Sequence, residues 1–296
     1  MCSPEIMAKV ASVSRRNFVK RSGALGLAGA AGIASHPRFV RAQEATPQTG
    51  PGMMATPTGT MRGPMMGMFS SITDLSHTWD ENVPMFPGAE QPQFEVIVTI
   101  AENGFFKNRL TLDEHTGTHM DAPLHFVENA TSADMLPVEN FIAPLAVIDI
   151  SDRASSDPDA QGMPDDILAW ESENGPLPAG AFVALNSGWD AMFTDPASFI
   201  NQDADGVAHF PGWHPDATTL LVGERDIVGI GVDTLSLDFG ASTDFGTHIT
   251  ALSAGKFGIE NLAQLGTLPP TGAWVIFGGP KHREASGGPT RVLAVA

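Results

Sequence analysis

Residues His115 to Phe126 read H-T-G-T-H-M-D-A-P-L-H-F, and no other stretch constrains the fold of this chain as strongly. Its ligand-type side chains, His115, His119, Asp121 and His125, all fall on odd positions, so an extended strand would turn all four to one face. A straight strand nevertheless separates His115 from His119 by roughly 13 Å at about 3.3 Å per residue, whereas two ligands of one ion sit within about 4 Å of each other. The chain must therefore turn, and Gly117 permits it. Pro123 argues against a helix running through the segment. These constraints describe a curled loop at a strand end, stiffened at its exit by Pro123. Imidazole and carboxylate are ligands that a borderline divalent ion prefers. The bland alternative is four polar residues on a solvated loop; with only nine histidines in the chain, three at these spacings favour a metal site.

The string resembles the signature H-x-G-T-H-x-D-x-P-x-H-F of the cyclase family of metal-dependent hydrolases, which includes bacterial kynurenine formamidases and isatin hydrolases. All eight defined positions match: His115, Gly117, Thr118, His119, Asp121, Pro123, His125 and Phe126. Downstream, Gly231-Val-Asp-Thr234 resembles the family's G-[IV]-D-T segment. His248 with Glu260, inside Ile259-Glu-Asn-Leu262, resembles its second ligand pair, and Gly288-Pro-Thr-Arg291 resembles its closing stretch. The resemblance covers about Ile72 to Ala296. It implies a single α/β domain with a swivelling β/β/α-type fold. It also implies His115, His119, Asp121, His248 and Glu260 as ligands of one or two divalent ions, zinc or manganese. His125 would be the catalytic acid/base, and the chain a homo-oligomer.

A divalent ion lowers the pKa of bound water from about 15.7 to about 7, so hydroxide becomes available near neutral pH to attack an amide, lactam or ester carbonyl. His125 could protonate the leaving amine, since a free imidazole titrates near neutrality. The chain has no G-x-S-x-G elbow, and its one cysteine, Cys2, lies at the extreme N-terminus. By resemblance, the reaction is cleavage of an amide-type C–N bond, as in an arylformamidase. The alternatives are opening or closing of a lactam or lactone ring, as in isatin hydrolase, and an exported metal-binding protein without catalysis.

Phe126, Trp189, Phe210 and Trp213 are candidates to line an aryl pocket or to pack in the core. Trp189 ends Asn186-Ser-Gly-Trp189, a loop following an apolar run. Asp233 ends the apolar run from Ile227 to Val232 and could orient substrate or begin a turn. His209 and His214 flank Pro211-Gly212 and read as loop residues. Glu260 could instead be an exposed helix residue beside Lys256. A helix broken near Gly255 and Gly258, within Thr247 to Leu265, would let His248 and Glu260 face one pocket.

Ser14-Arg-Arg-Asn-Phe-Val-Lys20 resembles the twin-arginine export motif, with Val19 in place of Leu. A Gly/Ala-rich run, Ser22 to Ser35, and Val40-Arg-Ala42 complete a signal-peptide pattern with cleavage after Ala42. The run has about fourteen residues, short of the roughly twenty needed to span a bilayer. The expectation is a periplasmic or extracellular protein, carried by the twin-arginine export machinery and left without cysteine. Residues 43–69, rich in Pro, Gly, Thr and Met, read as a disordered linker. The rest, 70–296, suits one domain.

Within it, Phe94–Ile100, Leu145–Ile150, Ala181–Leu185, Ile227–Val232 and Trp274–Phe277 read as strands. Pro164–Asn174 and Gly258–Leu265 read as helices, the first announced by Pro164 and the acids Asp165 and Asp166. The formal charge is −18 from 16 basic and 34 acidic residues. Removing the seven basic residues and one acid of the signal leaves 9 and 33, or −24. Such a surface disfavours nucleic acid and anionic membranes as partners, and the family resemblance implies a small-molecule amide or lactam as substrate.

Overall fold

The computed structural model describes residues 69–296, so the twin-arginine segment and all of the linker except Phe69 lie outside the described residues. In chain order the strands are β1 (Ile72–Asp74), β2 (Gln93–Val98), β3 (Lys107–Thr111), β4 (His119–Asp121), β5 (Ile142–Asp149), β6 (Gln161–Gly162), β7 (Ala181–Asn186), β8 (Gly212–Trp213), β9 (Ile227–Val232), β10 (Phe257–Glu260), β11 (Trp274–Gly278), β12 (Gly287–Pro289) and β13 (Arg291–Val295). The three longest helices are α1 (Pro164–Asn174), α2 (Pro215–Glu224) and α3 (Gly246–Ser253).

Nine strands form one mixed sheet in the order β1-β13-β11-β5-β7-β9-β10-β4-β12. Its centre, β5-β7-β9-β10, is parallel. Both flanks are antiparallel: β4 against β10 and β12 against β4 on one side, β11 against β5, β13 against β11 and β1 against β13 on the other. This is the expected α/β class.

The central strands are covered on both faces, which is why they read as continuous apolar runs. In β7, Phe182 and Ala184 enter one cluster, while Val183 and Leu185 enter the other with Ile167 and Trp170 of α1 and Leu221 of α2. On β9 the first face carries glycine; a Cβ on Gly231 would stand 2.7 Å from the Phe182 ring. The rings of Phe257 on β10 and Phe277 on β11 lie 5.3 Å apart. Those strands are four places apart in the sheet, or about 19 Å if it were flat at about 4.8 Å per strand. The sheet therefore curls around its first cluster.

Strand β9 and helix α1 have the bounds expected from sequence, and Asp166 accepts the Met163 N–H at 2.7 Å to fix the start of α1. The strand expected at Phe94–Ile100 is β2, paired with β3 outside the main sheet, its Phe94 and Val96 exposed. The helix expected at Gly258–Leu265 is corrected. Phe257–Glu260 is a fully buried strand between β9 and β4, followed by a short 3-10 turn at Leu265–Thr267. A Cβ on Gly258 would meet Leu237 Cδ1 at 2.6 Å, so close strand packing uses the residue that was read as a helix breaker. Among the described residues no helix is long and apolar enough to cross a membrane.

Candidate metal centre

Gly117 adopts φ +63°, and a Cβ there would lie 2.6 Å from the Trp79 ring, so both the turn and the packing require glycine. The turn brings His115 back over β4. Within β4, His119 and Asp121 share one face and Met120 enters the core on the other. Register places His119 opposite Glu260 of β10, while α3 supplies His248.

His119 Nε2 stands 3.3 Å from Asp121 Oδ1 and 3.3 Å from Glu260 Oε2. His248 Nε2 stands 3.4 Å from Asp121 Oδ2 and 3.1 Å from Glu260 Oε1. Donors of a tetrahedral ion bound at about 2.0–2.1 Å are roughly 3.4 Å apart; His119, Asp121 and Glu260 form one group whose ligand atoms all lie within 4.8 Å of one another, and His248 approaches the other oxygen of each of the two carboxylates. Asp121 also belongs to a second group with His115 and His125, whose ligand atoms lie within 4.8 Å of one another. One shared carboxylate thus admits one ion or two.

The side chains of His119, Asp121, His248 and Glu260 are all at most 7% exposed, and burying two carboxylates is expensive without compensating positive charge. His119 Nε2 and Asp121 Oδ2 have no hydrogen-bond partner despite their burial. Burial pushes the Asp121 carboxyl up, but the His115 hydrogen bond and the neighbouring His119 and His248 imidazoles outweigh it and hold the group well below the usual carboxylate range. Burial pulls His119 down, yet the adjacent Asp121 and Glu260 carboxylates raise it to about 10, and His248 is raised well above its usual value by Asp121, Asp238 and Glu260. The cluster therefore attracts protons wherever a cation does not replace them. Imidazole and carboxylate donors, orphaned atoms and close donor spacing together fit a divalent ion.

The His248 Nδ1 donates to Asp238 Oδ2 at 2.6 Å, and His119 Nδ1 to the Gly117 carbonyl at 2.8 Å. His115 Nδ1 lies 2.6 Å from Asp121 Oδ1, and its Nε2 lies 2.9 Å from Ser286 Oγ, which donates to Glu114. Asp238, Ser286 and Glu114 went unread in the sequence. Asp238 precedes His248 by ten residues in a loop, and no spacing rule marks it.

A cavity of about 580 Å³ opens onto this cluster. Its apolar wall is Pro84, Phe86, Ala89, Phe126, Leu235 and Phe245, and its polar side includes His115, His119, His125, His248 and Glu260. The Phe126 ring stacks on His248 with centroids 4.6 Å apart. His125 stacks on His115 at 3.8 Å. Burial holds His125 down at about 4, against the pull of Asp121, so its imidazole is neutral near pH 7 rather than poised to titrate there as expected from sequence.

Trp189 and Asp233, expected as substrate-side residues, do not line this cavity. The Trp189 indole donates to the Phe199 carbonyl at 2.8 Å within a satellite cluster of Phe193, Phe199 and Phe210. Asp233 accepts the Ser187 hydroxyl at 2.6 Å and the N–H groups of Ser187 and Trp189. Burial pushes its carboxyl up to about 7 against the Ser187 hydrogen bond. It ties the loop after β7 to the end of β9. Phe210 and Trp213 are core residues. His209 pairs with Asp159, and His214 caps α2.

The Cyclase family model matches residues 73–239. Isatin hydrolase of Roseibium aggregatum is 37% identical over 240 residues, covering 78% of this chain and 89% of the relative. Kynurenine formamidase of Salinibacter ruber is 27% identical over 203 residues, covering 68% and 85%. Among solved structures, isatin hydrolase A from Labrenzia aggregata bound to benzyl benzoate aligns with TM-score 0.73 at 34% identity over 79% of this chain and 96% of that one. An isatin hydrolase bound to the product analogue thioisatinate aligns with TM-score 0.74 at 31% identity over 78% and 94%. The matched region contains β4 and its ligand-type residues, the relatives align over most of their own length, and the chain belongs to the Cyclase family.

Proposed function

We propose that this chain is an exported, zinc- or manganese-dependent hydrolase that cleaves an amide-type C–N bond beside an aromatic ring. The observation that carries the reading is a pair of orphaned buried ligand atoms, His119 Nε2 and Asp121 Oδ2, the first on a residue that lines an aromatic-walled cavity and the second on its neighbour in the same cluster. His119, Asp121, His248 and Glu260 would hold the ion, with His115 beside them toward a second. When bound, the ion polarises the carbonyl and acidifies a water to near neutral pH, about 7.

The chain's own groups do the rest. Phe126 and Phe245 clamp the aryl ring and exclude water. His125 starts neutral, so its ring nitrogen accepts a proton from the attacking water and passes it to the leaving nitrogen. Water oxygen joins the carbonyl carbon, the C–N bond breaks, and a carboxylate and an amine result. Aryl formamides and ring-fused lactams share this bond. Similarity to kynurenine formamidase supports the first, and the higher identity to isatin hydrolase, 37% against 27%, ranks the lactam ahead.

The reading extends to export by the twin-arginine machinery, on the strength of Ser14–Lys20, and to a homo-oligomer. The test is hydrolysis of isatin and of N-formylkynurenine by protein reconstituted with zinc or manganese. Turnover of either, lost on chelation, supports the reading and ranks the substrates. No turnover of both, by protein shown to hold the ion, contradicts it.

A further inference from the structure

We infer that Asp238 is a positioning residue that orients the His248 ring and fixes its tautomer, so that Nε2 is the nitrogen presented to the metal. The inference rests on the metal-site reading above. A neutral imidazole has one N–H and one bare nitrogen, and only the bare nitrogen can ligate. A carboxylate oxygen facing an imidazole nitrogen accepts and so places the N–H on that nitrogen. Asp238 Oδ2 lies 2.6 Å from His248 Nδ1, while His248 Nε2 points at Asp121 Oδ2 and Glu260 Oε1 at 3.4 and 3.1 Å. The opposite tautomer would set Nδ1 lone pair against carboxylate and point an N–H into the ion's place.

Asp238 is itself held rigidly. It is 2% exposed, its Oδ1 accepts the Thr247 N–H at 2.8 Å and its Oδ2 the His248 N–H at 3.1 Å. These are first-turn amides of α3, whose N-cap residue, Phe245, offers no capping side chain. Asp238 therefore caps the same helix that carries His248, and carboxylate and imidazole keep a fixed relation. A Cβ on Gly212 would stand 2.3 Å from the Asp238 carbonyl carbon, so the backbone beneath is closely packed as well. His119 receives the same orientation from a neutral acceptor, the Gly117 carbonyl. His248 has the charged one, which makes the stronger hydrogen bond.

Asp238→Asn separates this role from a merely structural one. The amide oxygen can keep the Thr247 cap, and its NH2 then faces His248 Nδ1 and favours the wrong tautomer. The zinc dissociation constant, measured by chelator competition on the full chain, should weaken about 10–100-fold. Because Oδ2 also accepts the His248 N–H, the melting midpoint of the metal-free variant should fall somewhat, but less than that of Asp238→Ala, while the zinc affinity falls at least as far as in Asp238→Ala. Excess zinc should restore most of the turnover with the substrate KM unchanged. Asp238→Ala, which also removes the cap, should lower the metal-free midpoint. Zinc affinity of Asp238→Asn within twofold of wild type, while Asp121→Asn loses zinc, overturns the role of Asp238 and leaves the site standing. Wild-type protein that binds neither zinc nor manganese overturns the site and the inference with it.

Discussion

Strands β7 and β4 lie three places apart in one sheet and are both completely buried, yet they use burial in opposite ways. β7 sends Phe182 and Ala184 to one apolar cluster and Val183 and Leu185 to the other, so packing alone satisfies those four side chains. β4 gives Met120 to the core but turns His119 and Asp121 toward β10 and α3, where each leaves a ligand atom without a hydrogen-bond partner. The parallel centre therefore owes its stability to area removed from water. The antiparallel flank holds polar groups that a cation would complete. Stability and chemistry sit in separate parts of one sheet, and substitutions should separate them.

The largest separation is expected for Asp121→Asn. Chelator competition should show metal affinity reduced by more than about 100-fold, beyond what an outer partner accounts for, while the metal-free fold persists. Wild-type affinity in that variant would remove Asp121 from the centre. His125→Ala should keep its metal and lose about 10²- to 10⁴-fold in turnover, the span of a general acid/base; full turnover would reassign the proton transfer. At the centre of the sheet, Phe182→Ala should destabilise the protein by about 3–5 kcal/mol in urea titrations. The folded fraction should still bind metal normally. Loss of metal from the folded fraction would show the two regions to be coupled.

A subtler contrast lies in pH. His119 is raised to about 10 in the metal-free fold, above the roughly 6.5 of an unfolded chain. Its stabilising contribution is complete below about 6.5 and is lost as pH rises through about 10. Metal-free protein should therefore lose stability as pH rises from about 7 to 10, and metal-loaded protein should not. Parallel melting curves for the two forms would contradict this. The smallest effect is expected for Phe126→Ala. Its KM for an aryl substrate should rise about 10-fold, or about 1.4 kcal/mol, through lost apolar contact, with metal content unchanged. An unchanged KM would take Phe126 out of the substrate wall.

The local part of the site was readable because His115, His119, Asp121 and His125 are close in sequence, and Gly117 and Pro123 exclude most ways of arranging them. His248 and Glu260 were found only by resemblance, since their meeting depends on β10 pairing with both β9 and β4. Asp238 and Ser286 were invisible: one lies ten residues from its partner across a loop, and the other lies 171 residues from His115. For the fold, long apolar runs and a proline-marked helix start sufficed for β9 and α1. Phe257–Glu260 failed because four residues with a central glycine show neither period clearly, and the tertiary pairing decided between helix and strand. Trp189 and Asp233 lie off the site's cavity for a related reason. A loop after a strand is a good place for a site, but this one is tied down by its own buried aspartate.

The central claim is that the buried polar flank of this sheet is completed by a divalent ion that hydrolysis requires. Its most direct test is the metal content of the purified protein, measured together with turnover of isatin and N-formylkynurenine before and after chelation. The account predicts one or two equivalents of zinc or manganese and activity that falls with metal removal and returns with its replacement. Undiminished turnover by protein stripped of metal, or failure of the intact fold to take up either ion, would contradict it.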